Sequence, residues 1–408
     1  MAPVSISPAS TTSLRVCIAY DCLYPQTVGG AERWYRNLAE AFIEAGHRVT
    51  YVTRRQWAED SPPDIPGVEL VAISKREDLY DADGRRRIGP PLRFGRGLLA
   101  HLARRRGYYD VVHTCSFPYF GLPAIRLALA GTNAQVGVDW FEFWSDDYWH
   151  DYLGGVQGRV AATIQRIDAR LTPTAFIASR RHGDRLRANG LRSDPLPIGG
   201  LYRGAGESEP VLEPPPTPLV LFVGRLIPEK RAELVAPVVA ELRRTHPATR
   251  ARIIGDGPRR AEVEATVARL GLAGVVEVAG FVGGAEVEQA MAAATCLLAP
   301  TQREGYGLVV IEAAAKGTPV VVVDGPDNAA AELVETGVNG AIAASGDPVH
   351  LADAVRQVFG GGAGLRRSTA AWFTANAEAL GIEGSSRTVV ATYEARSSAR
   401  SQQPYDRN

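Results

Sequence analysis

The order of apolar segments constrains this chain more than any other feature of its sequence. Short runs rich in β-branched residues, such as LRVCIAY from Leu14, HRVTYVT and DVVHTC, alternate with segments of helical apolar spacing, such as AERWYRNLAEAFIEAG. Short apolar runs between turn residues predict buried strands, and apolar residues at helical intervals predict helices. Because the two types alternate, the sequence predicts parallel sheets with helices on both faces.

This alternation occurs twice, on either side of a segment that has no period. The first series ends near TAFIASRRHGDRLRANG, and the second runs from PLVLFVGRL to TPVVVVD. Between them, DPLPIGGLYRGAGESEPVLEPPPTP collects proline, glycine and acidic residues, which is typical of an interdomain linker. The 408 residues therefore predict an α/β protein of two Rossmann-like domains joined by a hinge.

The same segments set the expected boundaries. The glycine-rich FGGGAGL is interpreted as a loop, and the polar C-terminus as disordered. We expect a disordered tail at 1–13, a first domain at 14–204, a linker at 205–217, a second domain at 218–370, a helical segment at 371–396 that packs back on the first domain, and a disordered tail at 397–408.

Charge and composition limit the partners of such a protein. The 45 basic and 45 acidic side chains argue against nucleic acid and anionic membranes, which attract a positive excess. No run approaches the roughly 18 apolar residues of a membrane span, and the first residues lack the features of an export signal. Four scattered cysteines favour a reducing, cytoplasmic location. We therefore expect a small-molecule partner.

The segment GRLIPEK, from Gly224 to Lys230, lies between the predicted strand LVLFV and a helix. Gly224 lets the backbone approach a ligand, and free N–H groups at a helix start favour an anion. Arg225 and Lys230 would add a guanidinium fork and a compact ammonium directed at a diphosphate. The alternative is two solvated charges at the end of a strand.

A second block, REGYGLVVIEAAAKG, contains two glutamates. Glu304 is expected in a loop at the carboxyl end of a strand, where it can accept hydrogen bonds from sugar hydroxyls. Glu312 is expected in the following helix, where it can hold a ribose diol. Gly305 and Gly307, on either side of Tyr306, allow main-chain N–H groups to reach phosphate. Taken alone, Glu312 is more simply a capping or surface glutamate.

Two glycine pairs can extend this site. IIGDGP forms a tight turn with Gly255 and Gly257 at the same sheet edge, and GGAER opens the first predicted helix with Gly29 and Gly30. N–H groups at that helix start could reach the same diphosphate across a cleft. By itself the first motif is only a turn, and the second fits a structural turn as well as an anion site.

Together these blocks resemble glycosyltransferase family four, the retaining nucleotide-sugar-dependent enzymes of the GT-B fold. The likeness rests on VGGAER, FVGRLIPEK, IIGDGP, EGYGLVVIEAAAKGTPVV and DNAAAELVETGVNG. It implies two facing Rossmann-like domains, with the acceptor on the first and the nucleoside-diphosphate sugar held mainly by the second. It also implies that no metal or other cofactor is required, because positive side chains neutralise the leaving diphosphate.

The resemblance assigns roles to the matching residues and a route to the reaction. We expect Arg225, Lys230 and Glu304 as catalytic residues, and as donor-binding residues Gly29, Gly30, Gly224, Gly255, Gly257, Gly305, Tyr306, Gly307, Leu308 and Glu312. The route is attack on the face that the diphosphate leaves, with the departing phosphate oxygen taking the acceptor's proton. An epimerase or hydrolase of the same fold, or a non-catalytic sugar-nucleotide binder, stays an alternative.

One segment departs from the family pattern. After the strand AQVGVDW related enzymes place a histidine near the reacting sugar, and the matching residue here is Phe141. Phenylalanine cannot donate a hydrogen bond to a sugar hydroxyl. Either Asp139 or Glu142 therefore takes that part, or the ring has a steric role.

The same segment, VDWFEFWSDDYWHDYLG, predicts an acceptor site. It combines tryptophans, including Trp144, with carboxylates, including Asp139, Glu142 and Asp146. Aromatic faces stack on sugar rings and attract cations, and carboxylates bind hydroxyl or ammonium groups, so a polar acceptor, amine-bearing or a sugar, is expected. The alternative is a helix that packs its aromatic side chains under the cleft. His113 is a further acceptor candidate, although a structural histidine is the simpler explanation.

Overall fold

The computed structural model describes residues 13–27, 29–79, 87–203 and 209–401. Most of the tail expected at 1–13 and the end of the tail expected at 397–408 lie outside these residues, as does the start of the linker expected at 205–217. Within the described part of the chain, none of the helices has both the length and the apolar character needed to cross a membrane.

The first sheet has seven parallel strands. They are β1 (Arg15–Ala19), β2 (Arg48–Arg54), β3 (Val68–Ser74), β4 (Val111–Cys115), β5 (Gln135–Trp140), β6 (Thr174–Ile177) and β7 (Leu196–Pro197). The helices between them are α1 (Gly30–Glu44), α2 (Gly89–Arg104), α3 (Gly121–Ala128), α4 (Asp146–Leu153), α5 (Gly155–Leu171) and α6 (Arg180–Ala188). The strand order is β3-β2-β1-β4-β5-β6-β7, so β4 lies in the middle and the order reverses at β1, between β2 and β4.

The second sheet repeats this arrangement with six parallel strands. They are β8 (Leu219–Val223), β9 (Arg250–Ile254), β10 (Val276–Gly280), β11 (Cys296–Ala299), β12 (Val320–Val323) and β13 (Gly340–Ala343), in the order β10-β9-β8-β11-β12-β13. The helices are α7 (Val235–Leu242), α8 (Arg260–Arg269), α9 (Gly284–Ala293), α10 (Leu308–Ala315), α11 (Pro348–Leu380) and α12 (Ile382–Ser401). The predicted α/β class with two Rossmann-like sheets is confirmed.

The core explains why the strand sequences are continuously apolar. In β8, Val220 and Phe222 pack with residues of α7 and α11 on one face, whereas Leu221 packs with residues of α9 and α10 on the other. Successive side chains of a strand point to opposite faces, so a sheet covered on both sides needs apolar residues at every position. Each such buried side chain stabilises the fold by about 1.5–3 kcal/mol.

Two expectations for the C-terminal part are wrong. FGGGAGL is not a loop, because α11 continues through it and only Gly362, with φ of 49°, has a non-helical backbone. Apolar residues on either side of this kink pack in the core and hold the glycine-rich segment in the helix. The disorder expected from residue 397 is also wrong as far as Ser401, where α12 ends.

The chain passes between the two domains at two adjacent crossings. Residues 199–202 follow β7, and Gly381 separates α11 from α12. The crossings are joined by hydrogen bonds from Tyr202 N to Leu380 O (3.2 Å) and from Ile382 N to Tyr202 O (2.9 Å). Beyond them α12 packs against α1 of the first domain. These paired crossings are the points about which the domains can rotate.

One buried acid in the first domain makes folding depend on pH. Asp168 in α5 is fully buried, and neither carboxylate oxygen has a hydrogen-bond partner among the described residues. Burial raises the pKa of Asp168 to about 8. An unfolded aspartate titrates near pH ~3.9, so between about pH 4 and pH 8 the folded state holds a proton that the unfolded state releases. This group therefore costs stability as the pH rises through that window.

We expect Asp168→Asn to raise the free energy of unfolding at pH 7 by about 2–4 kcal/mol, because the amide has the shape of the protonated acid and needs no proton. The gain should shrink towards zero at pH 4. Chemical denaturation at both pH values measures it, with Asp60→Asn as the exposed control. An equal gain at pH 4 and pH 7 would show that proton uptake by Asp168 is not the cause.

Candidate active site

Polar segments of both domains meet at the carboxyl ends of central strands. β8 leads into Gly224 and the segment that ends at Lys230, β11 leads into the loop that contains Glu304, and β5 leads into Phe141 and Glu142. In open parallel sheets, ligands bind at this edge, where the strand order reverses. The arrangement therefore forms a cleft with the second domain on one side and the first on the other.

Lys230 and Glu304 are in direct contact in this cleft. The ammonium and the carboxylate form an ion pair, and their side chains are only 22% and 18% exposed. A main-chain hydrogen bond from Gln302 N to Glu229 O (2.9 Å) joins the two segments one and two residues away. The loop is fixed from the other side by a bond from Glu304 N to Asp327 O (2.9 Å). Two of the three expected catalytic side chains are thus brought together.

Arg225 differs from this pair because its side chain is exposed and has no hydrogen-bond or ion-pair partner among the described residues. Its backbone is held in place, since Gly224 N donates to Ile254 O (3.0 Å) and Leu226 N donates to Asp256 O (2.9 Å). Arg225 therefore presents an unneutralised guanidinium on the segment that ends at Lys230.

Gly255 and Gly257 support that segment from below. Their φ angles are 140° and 154°, and a Cβ atom on Gly255 would lie 1.8 Å from Gly224 O. One on Gly257 would lie 2.5 Å from Leu226 O. Only glycine combines this backbone conformation with such close approach. Both glycines therefore allow close packing against the segment that ends at Lys230. Their predicted contact with a donor stays a prediction.

The residues after Glu304 offer main-chain donors. Among the described residues, no acceptor takes the N–H groups of Gly305, Tyr306 or Gly307. The same holds for the first two N–H groups of α10, which begins at Leu308, whereas Val310 N donates to Gly307 O (2.9 Å). The Tyr306 side chain is buried and donates to Gly199 O (3.0 Å), so it anchors the loop to the crossing. Free N–H groups at a helix start can bind a phosphate.

Glu312 lies in α10 and faces charge from the first domain. Burial raises the pKa of Glu312 to about 7, and the positive charge of Arg33 in α1 works in the opposite direction. Gly29 and Gly30 begin the same helix α1, where a Cβ atom on Gly29 would lie 2.3 Å from Glu32 Oε2. The predicted anion site on α1 therefore has a carboxylate beside it in this structure.

Asp139 and His113 do not reach the cleft. Both are fully buried, and Asp139 Oδ2 accepts a hydrogen bond from Trp34 Nε1 (2.6 Å) and lies 3.0 Å from His113 Nε2. On the other side of the ring, His113 Nδ1 lies 2.8 Å from the Tyr393 hydroxyl. These two acceptor candidates belong instead to a buried network that ties α12 to the first sheet, and the structural explanation of His113 fits this geometry.

The remaining acceptor candidates also have partners within the chain. Asp146, at the start of α4, forms an ion pair with Arg166. Trp144 Nε1 donates to Glu142 Oε2 (2.5 Å), and Glu142 lies against the loop, because a Cβ atom on Gly305 would be 2.5 Å from its Cγ. Trp144 and Glu142 therefore border the loop of the second domain, whereas the side chain of Asp146 is 67% exposed.

Phe141, which follows β5, and Arg303, which follows β11, also lie at this edge of the sheets. The Phe141 ring packs against the apolar core of the first domain, which agrees with a steric role for the residue that stands where the family has histidine. The sequence motifs predict no role for Arg303. Its guanidinium stacks on Trp144 and lies 3.0 Å from Glu142 Oε2. The one sequence signal for Arg303 is its position directly before Glu304.

Known proteins resemble this chain in both halves. The protein-family model for glycosyl transferases group 1 matches residues 207–371, and the family model for the glycosyl transferase 4-like domain matches residues 29–198. Alpha-D-kanosaminyltransferase from Streptomyces kanamyceticus is 30% identical over 142 residues, which are 35% of this chain and 36% of that protein. The chain thus matches little more than a third of that curated relative's length.

Solved structures extend the likeness to the whole fold. Sucrose-phosphate synthase from Thermosynechococcus elongatus has a TM-score of 0.74 at 18% identity, over 95% of this chain and 100% of that one. The Anabaena protein HepE in complex with UDP and glucose has a TM-score of 0.65 at 18% identity, over 93% of this chain and 99% of that one. With family models matching both domains, the chain belongs to the family-four-like glycosyltransferases of the GT-B fold.

Proposed function

We propose that this protein is a retaining glycosyltransferase that moves a sugar from a nucleoside-diphosphate sugar to a polar acceptor without a catalytic metal. The observation that carries the proposal is the ion pair between Lys230 and Glu304 in the interdomain cleft. The segment that ends at Lys230 also presents the free guanidinium of Arg225. These groups supply two positive charges for a diphosphate and one carboxylate for the sugar attached to it.

The diphosphate would lie between the two basic side chains and the N–H groups that precede α10. As the bond to the anomeric carbon breaks, negative charge grows on the leaving phosphate oxygen. Fixed positive groups lower the energy of that state more than they lower the energy of the bound donor. Arg225 and Lys230 thereby supply the charge that a metal ion would otherwise supply.

The rest of the donor would be held by the two glutamates. Glu304 accepts hydrogen bonds from sugar hydroxyls, while Glu312 accepts both hydroxyls of the ribose diol. Because the pKa of Glu312 lies near 7, hydroxyl donors that stabilise its charged form favour loss of the proton on binding. HepE, which shares this fold, was solved in complex with UDP and glucose, which supports a nucleotide-sugar donor here.

The acceptor would enter from the first domain, where Trp144 and Glu142 border the loop at Gly305. Its hydroxyl oxygen forms a bond to the anomeric carbon on the face that the diphosphate leaves, and its proton passes to the departing phosphate oxygen. This route needs no base from the protein, so the change from histidine to Phe141 does not remove a proton acceptor. The acceptor is a sugar or another polar molecule, including amine-bearing ones.

A transfer assay tests the proposal. The protein is incubated in EDTA with UDP-, GDP-, ADP- and dTDP-glucose and a panel of neutral and amino-sugar acceptors. We expect nucleoside diphosphate release that depends on an acceptor, and a product with the donor's α configuration by NMR. A β product would contradict retention. Donor turnover at the same rate without acceptor would indicate a hydrolase or epimerase, and no turnover with any donor would favour a non-catalytic binder.

A further inference from the structure

Arg303 lies in a cage that both domains build. Its Cζ atom is 3.8 Å from the centroid of the Trp144 ring and 4.4 Å from that of Tyr148. Glu142 Oε2 lies 3.0 Å and Glu229 Oε1 3.9 Å from its guanidinium nitrogens. We call the four residues around Arg303, which are Trp144, Tyr148, Glu142 and Glu229, the aromatic–acidic cage. Only 17% of the Arg303 side chain is exposed, so the cage closes around nearly the whole cation.

The members of the cage fix one another. Trp144 Nε1 donates to Glu142 Oε2 (2.5 Å), and the Tyr148 hydroxyl donates to Glu229 Oε1 (3.0 Å). Each ring is therefore held by the carboxylate that also faces the guanidinium. Burial raises the pKa of Glu142, but positive charges, of which that of Arg303 acts most strongly, and the hydrogen bond from Trp144 together outweigh burial and lower that pKa. The cage is thus built to hold a cation.

The cage also crosses the cleft. Glu142, Trp144 and Tyr148 follow β5 in the first domain, whereas Glu229 and Arg303 follow β8 and β11 in the second. A hinge rotation that opens the cleft must pull Arg303 away from both rings. A cation on an aromatic face is held most strongly when water is excluded, as it is here. The cage therefore stabilises the closed arrangement of the domains.

Its position links this closure to the candidate site. Arg303 directly precedes Glu304, and Glu229 directly precedes Lys230. Each second-domain partner in the cage is thus next to one member of the ion pair. Another contact across the cleft, Arg185 with Asp327 Oδ1 (2.5 Å), also reaches this loop, because Asp327 O accepts the hydrogen bond from Glu304 N. The cage differs from it in contacting the residues that directly precede both Glu304 and Lys230.

We propose that Arg303 is a positioning residue that couples domain closure to the placement of Glu304 beside Lys230 and the donor sugar. The last part of this inference rests on the proposed function, while the closure itself does not. Arginine suits the task because its planar guanidinium can stack on rings and face two carboxylates at once. Lysine would keep the charge but lose most of the stacking.

Distances between spin labels test the closure. All four native cysteines are buried, and Leu127 in α3 and Phe281 after β10 are exposed, so Leu127→Cys and Phe281→Cys can be labelled selectively. We expect one narrow distance in the labelled parent and a broader, longer distribution with Arg303→Met. Arg303→Lys should fall between them. The matched control, Arg269→Met on the exposed face of α8, should leave the distance unchanged.

An Arg303→Met distribution that superimposes on the parent's would overturn the inference. Tyr148→Phe serves as a second variant if Arg303→Met does not fold. It keeps the ring and loses only the bond to Glu229, so it should broaden the distribution less, and an unchanged distribution in this variant would equally overturn the inference.

Activity provides the second readout. In the transfer assay, Arg303→Met should lower kcat at least tenfold while the dissociation constant of the released nucleoside diphosphate stays within threefold. A purely structural role would change both or neither. The label distances need no activity, so an inactive parent protein would reject the proposed function alone, whereas unchanged distances in an active enzyme would reject the positioning role alone.

Discussion

Replacing Lys230 with alanine is expected to lower turnover at least 100-fold, which corresponds to about 3 kcal/mol of transition-state stabilisation. The ammonium is largely buried, so its charge acts on the diphosphate with little screening by water. Its loss also leaves the Glu304 carboxylate without a cation where the diphosphate would bind. The variant therefore loses an attraction and gains a repulsion.

Steady-state kinetics of transfer measure this effect. Lys75→Ala is the matched control, because Lys75 is one of only three lysines and is exposed beyond β3, the edge strand of the first sheet. Its turnover should equal that of the parent. Thermal denaturation of both variants shows whether each is folded. A Lys230→Ala turnover within threefold of the parent would reject the catalytic role of this ammonium.

Glu304→Gln is expected to abolish transfer while keeping nucleoside diphosphate affinity. The amide has the shape of the carboxylate but not its charge, so the hydrogen bonds that it accepts from sugar hydroxyls are weaker. The ion pair with Lys230 is lost at the same time, which frees the ammonium for the diphosphate. We expect at least about 100-fold slower transfer and a dissociation constant that is unchanged or lower.

Calorimetry with the nucleoside diphosphate separates these two effects. Glu312→Gln is the contrasting variant, because its contact is expected with the ribose and not with the sugar. It should weaken nucleoside diphosphate binding more than Glu304→Gln does. If Glu304→Gln no longer binds the nucleoside diphosphate, its carboxylate does not serve the sugar as proposed.

The sequence predicted the parts of the fold that depend on local pattern. Buried parallel strands such as β12, with its four valines, are apolar at every position, and this can be recognised without any knowledge of neighbours. FGGGAGL failed because glycine propensity favours a loop, whereas tertiary packing on both sides of Gly362 keeps the segment in α11. Local propensity cannot report such long-range support.

The candidate site shows the same division. Two parts of the site are contiguous motifs, Gly224 to Lys230 and Glu304 to Glu312. Spacing within each motif is therefore enough to predict them as candidate site residues. Asp139 and Arg303 could not be interpreted in this way. Asp139 contacts His113, and the other ring nitrogen of His113 contacts the hydroxyl of Tyr393, which lies 280 positions further along the chain than the histidine. Arg303 finds its aromatic rings in the other domain. Contacts between distant segments decide both cases.

A crystal structure with a nucleoside-diphosphate sugar bound tests the central claim most directly. We expect phosphate oxygens about 3 Å from the Lys230 ammonium and the Arg225 guanidinium, with a sugar hydroxyl at a similar distance from the Glu304 carboxylate. A donor that binds elsewhere on the molecule and leaves these three side chains without contact to it would contradict the account.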